Sequence, residues 1–338
     1  MSYIFNISVI IVVVVLILLS KHFKIFLDNN LDKHKNFAGK NKSYFIGGLI
    51  IFIFLFYDAV LKNDFFIFLF YFSFFLIGLL SDFKLLNSPT IRLLIQIITF
   101  ITFVVLLDIK ILETRLSPID ELLKNNIFNY FFVIFCLLVL VNGSNFVDGI
   151  NTLLISYAII IFLMLLINLS DLMTDINSIK NLIYVLSIII LFNLFGIIIL
   201  GDSGSYLLSL YLGLNLIEFS NSNILISPYF VILLLWYPCF ELLFSMIRRQ
   251  FKNKDSYNPD TEHLHQLIYK IFTKTNNFKR NLNHFCTSFI ILFYNLISFI
   301  VGFKFYNHTN TLISIIIINI GVYIISYNYL KLKLKLNK

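Results

Sequence analysis

The chain has 338 residues, 59% of them hydrophobic and 13% charged, with 39 Phe and a mean hydropathy of +0.88. Soluble domains carry about 25% charged residues, so a water-facing exterior is excluded, whereas lipid accepts apolar faces on every side of a helix. The 26 Lys and Arg against 18 Asp and Glu leave a net charge of +8, which in a membrane protein reports orientation rather than nucleic-acid binding.

Apolar runs approaching the roughly 20 residues that cross a bilayer core occur at 4–19, 65–80, 91–107, 127–141, 152–167, 182–200, 225–247, 285–303 and 312–330, and two shorter ones at 44–56 and 206–217. They predict an all-α, polytopic bundle of about eleven transmembrane helices, built as a single domain over 1–338. The runs are continuous and lack the two-residue alternation of a membrane strand, which excludes a barrel. The first run has no small-residue cleavage site and is followed by Lys21 and Lys24, so it reads as a retained helix. Cys136, Cys239 and Cys286 lie in or beside apolar runs at spacings that fit neither a zinc site nor a disulfide framework.

Eleven crossings place alternate connections on alternate sides. One set, whose cations lie in 20–43, 81–90 with Arg92 just after it, 248–283 and the Lys-rich tail from Lys331, carries 20 of the 26 cations; the other carries Lys62, Lys110, Arg115, Lys124, Lys180 and Lys304. The positive-inside rule then predicts the N-terminus outside and the C-terminus in the cytoplasm.

The polar connections 81–90, 142–151, 201–205 and 248–283 share that cytoplasmic side. They bring together Asp82, Asp148 and Asp202, and an Asp at the hydrocarbon boundary marks a functional site by default. Asp202, in Gly-Asp-Ser-Gly-Ser, reads either as a turn cap or as a ligand. Three carboxylates at one membrane face call for a cation, and Mg²⁺, with Mn²⁺ as substitute, prefers oxygen ligands and substrate phosphates. Asn142, Asn145, Asp148 and Asn151 recur every three residues, either as a polar inter-helix seam or as a ligand pocket opened by Gly149. Arg248 and Arg249 read as topology anchors or anionic contacts. His263 and His265 lack the spacing of a helical zinc site and suit phosphate or sugar contacts.

Four segments in order, Ser81-Asp82, Asn142 to Gly149, Phe192-Asn193 followed by Gly201 to Ser205, and Asp260-Thr-Glu-His263-Leu-His265, resemble the polyprenyl-phosphate N-acetylhexosamine-1-phosphate transferase family. The resemblance implies transfer of a sugar-1-phosphate from a UDP-sugar to undecaprenyl phosphate in the plasma membrane, with release of UMP and with Mg²⁺ at a cytoplasmic site. It implies that such a step initiates an envelope glycan such as O-antigen.

Carried over by position, Asp202 and Asp148 match metal and catalytic acids, and Asp82 the acid that handles the lipid phosphate. His263 and His265 match the histidines of the loop near the donor pyrophosphate and sugar, Asn142, Asn145, Gly149 and Asn193 lie in the matching segments, and Gly47-Gly48 resembles the family's paired glycines; Asn151, Arg248 and Arg249 stand beside these as further substrate-binding candidates. Ser81, Asn151, Gln266 and Ile199 depart from the pattern, which sets the chain apart from the peptidoglycan translocase. The rival readings are a secondary transporter, with coupling ions on the intramembrane acids, and an inactive relative, motivated by Ser81.

Overall fold

A computed structural model describes residues 3–27, 43–251, 262–275 and 279–336. Asp260 and most of the lysines expected in 20–43 lie outside the described residues. Among the described residues thirteen α-helices follow one another: α1 (Tyr3–Phe23), α2 (Gly47–Lys62), α3 (Phe65–Asp82), α4 (Pro89–Leu106), α5 (Ser117–Leu123), α6 (Asn126–Val147), α7 (Leu153–Asn168), α8 (Ile176–Leu194), α9 (Gly201–Asn221), α10 (Pro228–Phe251), α11 (Leu264–Thr275), α12 (Arg280–Lys304) and α13 (Thr309–Leu336). No strand occurs among the described residues.

The chain is a polytopic helical membrane protein. Among the described residues eight helices are long and apolar enough to cross a bilayer, and α7, of 16 residues, is a shorter apolar one. Each of the eleven predicted runs overlaps a helix, three of them α2, α7 and α9, which are not among those eight; α5 and α11 are the two additions. Large apolar side chains such as Ile7 and Ile11 on α1, Ile98 on α4 and Phe289 on α12 are exposed, an arrangement that suits lipid and not water.

The boundaries differ from expectation where Gly intervenes. The run 182–200 is not one helix: α8 stops at Leu194, Gly196 takes φ +69°, and the chain continues as non-helical backbone to α9. Such backbone inside a bundle must find partners. Here it pairs with the residues before α2: Tyr44 N–H donates to Ile197 O (3.0 Å), Ile199 N–H to Tyr44 O (2.9 Å), and the Gly47 and Gly48 N–H groups to Ile199 and Leu200 O (both 3.1 Å). Segments expected as loops at 142–151 and 201–205 are largely helical, forming the last turns of α6 and the first turn of α9.

Helix α9 occupies the centre, with Ser203, Ser205, Tyr206, Leu207 and Leu210 all buried. Its small residues allow α2 and α3 to cross closely. A Cβ added at Gly78 of α3 would lie 2.5 Å from Ser203 N, and one at Gly48 of α2 would lie 2.5 Å from Gly204 N. In α10, Pro238 removes the N–H that would bond the Leu234 carbonyl. Tyr157 of α7 supplies the replacement, its hydroxyl donating to Leu234 O at 2.7 Å.

Candidate functional site

Asp82 ends α3 and caps α9. Its Oδ1 accepts from Asp202 N–H (2.8 Å), and its Oδ2 accepts from Ser203 N–H (3.1 Å) and the Ser203 hydroxyl (2.7 Å). Backbone N–H groups at a helix start form a natural anion site, and this carboxylate fills it. Gly201, at φ +73°, makes the approach feasible, since a Cβ there would sit 2.6 Å from Asp82 Oδ2.

With its backbone so held, Asp202 turns its side chain to α4. Oδ2 accepts from the Ser81 hydroxyl (2.5 Å) and from Arg92 (2.9 Å), which also donates to Ser81. The Asp202 and Arg92 side chains are 19% and 22% exposed, enough to meet a ligand yet screened from bulk water. One turn along α4, Gln96 is fully buried and accepts from Asn142 Nδ2 at 2.9 Å.

Asn145 of α6 accepts from the Ser205 hydroxyl at 2.8 Å. Helices α6 and α9 run antiparallel, so Asp148, one turn after Asn145, and Asp202, one turn before Ser205, reach the same end of the bundle. Asp148 is half-buried and Gly149 exposed. Asn193 is 2% exposed and acts as a clamp, its Oδ1 accepting from Thr152 N–H (2.5 Å) and its Nδ2 donating to Ile198 O (2.7 Å). Asn151 donates from Nδ2 to Asn193 O (3.1 Å).

The histidine segment arrives as α11. A Cβ at Gly149 would meet Gln266 Nε2 at 3.7 Å and His265 Nε2 at 3.8 Å, so the α6 terminus and the His pair adjoin. Below them Glu241 of α10, 1% exposed, lies 2.9 Å through Oε1 from His263 Nδ1 and 3.8 Å through Oε2 from His265 Nδ1. The Tyr237 hydroxyl is 3.2 Å from His265 Nδ1. Burial pushes the His265 imidazole down to about 4, against the opposing pull of Glu241.

Arg248 donates to Glu262 O (2.5 Å), the Tyr327 hydroxyl (2.7 Å) and Ser245 Oγ (3.2 Å), tying α10 to α13; Arg249 beside it is 9% exposed.

The structure thus gathers Asp82, Asp202, Asn142, Asn145, Asp148, Gly149, His263 and His265 at one end, with Asn151, Asn193 and Arg248 as ties around them. Sequence reasoning missed Arg92 as a site residue, having counted it only for topology. It also missed Glu241, although a carboxylate inside the run 225–247 is itself a signal. Among the described residues no three or more His, Cys, Asp or Glu are grouped to hold a metal by themselves. A Mg²⁺ ion held here would therefore need substrate phosphates and waters as its further ligands. Asp202 fits, because Ser81 and Arg92 both bond Oδ2 and Oδ1 faces no such demand.

Residues 65–220 match the family model described as glycosyl transferase family 4. Over this stretch, a little under half of its length, the chain is similar to that family. The match to glycosyl transferase family 4 covers Asp82, the Asn142–Asn151 segment and Asp202, and stops short of the histidines. A similar protein, the undecaprenyl-phosphate alpha-N-acetylglucosaminyl 1-phosphate transferase of Thermotoga maritima, is 27% identical over 266 residues, covering 77% of each chain. That alignment is long enough that it must include part of the chain outside 65–220.

Proposed function

We propose that the protein transfers a sugar-1-phosphate, of N-acetylhexosamine type, from a UDP-sugar to undecaprenyl phosphate and releases UMP. The observation that carries this reading is the convergence of the α3 end, the α6 end, the α9 start and α11 on one polar face of an otherwise apolar bundle. A headgroup-level site of this kind suits an acceptor whose phosphate sits at the membrane surface and whose tail stays in lipid.

In this reading eleven helices cross the membrane, the N-terminus is outside, and the site faces the cytoplasm of the plasma membrane. The step initiates an envelope glycan. Asp202 and Asp148 would hold Mg²⁺, which when bound neutralises charge on the donor pyrophosphate and the leaving nucleotide. Arg92 screens the negative groups that gather beside Asp202, and His263 and His265 contact the donor phosphates. Asp82 is occupied by three hydrogen bonds at the start of α9, a state that weakens a carboxylate nucleophile. Direct in-line attack by the lipid phosphate on the β-phosphorus, with the reactants held in register, is therefore favoured over a covalent intermediate on Asp82.

The test is a purified-protein assay for UMP release with a panel of UDP-sugars, undecaprenyl phosphate and Mg²⁺. Turnover with an N-acetylhexosamine donor, lost in Asp202→Ala, is the expected result. Wild-type rates in Asp202→Ala would overturn the assignment of Asp202, and no turnover with any donor would overturn the function.

A further inference from the structure

A carboxylate in the apolar interior of a helix bundle is costly unless it is paired. Glu241 sits one turn beyond Pro238 in α10 and is paired through Oε1 with the start of α11 and the residue before it, while Oε2 makes no hydrogen bond among the described residues. Its Oε1 accepts from Leu264 N–H at 3.3 Å and lies 2.9 Å from His263 Nδ1. An ionised Glu241 only accepts, and its contact with Nδ1 then fixes the His263 tautomer with the proton on Nδ1, which leaves Nε2 as the position that can meet a ligand.

The ring is held from its faces as well. His263 and His265 lie parallel within 1° with centroids 5.5 Å apart, and Phe146 of α6 packs on His263 at 4.9 Å. Phe146 is the residue between Asn145 and the approach to Asp148, so the His263 ring bridges α11 and the acid-bearing end of α6. His265 meets the Tyr237 hydroxyl at 3.2 Å and lies farther from the carboxylate, 3.8 Å from Glu241 Oε2.

A neutral acceptor would anchor α11 with a smaller desolvation cost than a carboxylate. A buried charge is useful where the ring it faces must carry the opposite charge at some stage of a reaction. Phosphates entering the site would create that demand. Tyr323, also buried, adds its hydroxyl to the surroundings of Glu241.

We propose that Glu241 is a positioning residue for the transfer: its carboxylate fixes the Nδ1–H form of His263, aims Nε2 at the donor phosphates and stabilises the positive charge that the ring takes when those phosphates bind. The proposal rests on the reading of His263 as a donor-phosphate contact. Glu241 itself touches no substrate and acts through the ring.

The test pairs kinetics with nitrogen-15 NMR of the intact protein labelled at its six histidines, using UDP-N-acetylglucosamine as the probe. Glu241→Gln keeps an acceptor for Nδ1–H and removes the charge. Its kcat is expected to fall roughly 100-fold, the scale of a positioned acid or base, with the donor KM changed far less. Glu241→Asp restores part of the loss. Glu241→Gln/His263→Asn is expected to be no slower than His263→Asn alone. In the spectra, donor converts the His263 signals of wild type to the doubly protonated form and does not do so in Glu241→Gln.

Wild-type kcat in Glu241→Gln, or the same donor-induced conversion in that variant, would overturn the proposal while leaving the histidine reading in place if His263→Asn is inactive. Wild-type turnover in His263→Asn would instead overturn the histidine reading on which the proposal stands. A Glu241→Gln enzyme that loses kcat and KM together, without rescue by Asp, would assign the residue a structural role and refute positioning.

Discussion

Replacing Asp82 by Asn separates two roles that loss of activity alone confuses. The carboxylate receives two backbone N–H groups and one hydroxyl at the first turn of α9. Hydrogen bonds to a charged group are worth about 1.5–3 kcal/mol each, while loss of an N-cap measured as a whole costs about 0.5–2 kcal/mol. Three bonds sharing two oxygens on a half-buried side chain fall nearer the second scale than the sum of the first. Asn keeps one acceptor, so the bond from Asp202 N–H survives, but its amide NH₂ then faces the Ser203 N–H, donor against donor. A loss of about 2 kcal/mol results, with a further few tenths from the removed charge at the helix dipole. Asp202 shifts with the loosened turn, so turnover falls to roughly a few per cent of wild type, in line with the cost of misplacing a catalytic group by about 1 Å. Thermal unfolding in detergent and initial rates of nucleotide release measure the two effects on one preparation. Complete loss of turnover at unchanged thermal stability would refute the capping argument and restore Asp82 as a covalent nucleophile.

Arg92→Ala removes the ion pair to Asp202 and is expected to lower kcat/KM at least tenfold, with partial recovery in Arg92→Lys; rates like wild type would show that the pair is idle in turnover. His265 gives a stability that depends on pH. Its folded value of about 4 lies below the ordinary 6.5, so the unfolded chain binds the extra proton first; the contribution is complete above about pH 6.5 and is lost as pH falls towards 4, to a limit of about 3 kcal/mol. Melting curves across that range should show the decline, flattened in His265→Asn, and an equal slope in both proteins would rule it out.

The helical class and the position of every apolar run were legible because a bilayer-crossing helix is a long, low-charge stretch and little else competes with that signal. The gathering of acidic segments was legible because Asp in such surroundings is costly. What escaped was backbone behaviour and partnership. Ile197 to Leu200 are as apolar as the helix before them, and only the left-handed Gly196 and the long-range pairing with Tyr44 make them non-helical. Arg92 carried a charge that topology had already accounted for. Glu241 was hidden inside a run whose mean hydropathy absorbed it. The glycines of the motif segments also changed meaning: Gly48, Gly78 and Gly204 bring three helices into contact, and the chemistry is left to the side chains around them.

The backbone pairing between the α2 entry and the α9 entry has a consequence for biosynthesis. Ser43 bonds the carbonyl of Gly196, 153 positions away, and the N–H groups of Gly47 and Gly48 wait for carbonyls of Ile199 and Leu200. Contacts of such separation form late, because the intervening loop must close before they reward it. Helices α2 and α3 therefore enter the membrane well before the chain that completes them, and until α8 and α9 follow, those glycine N–H groups need temporary partners at the membrane surface. A truncated or stalled chain ending before residue 201 would have α1 to α8 and lack Asp202 and the helix start that Asp82 caps.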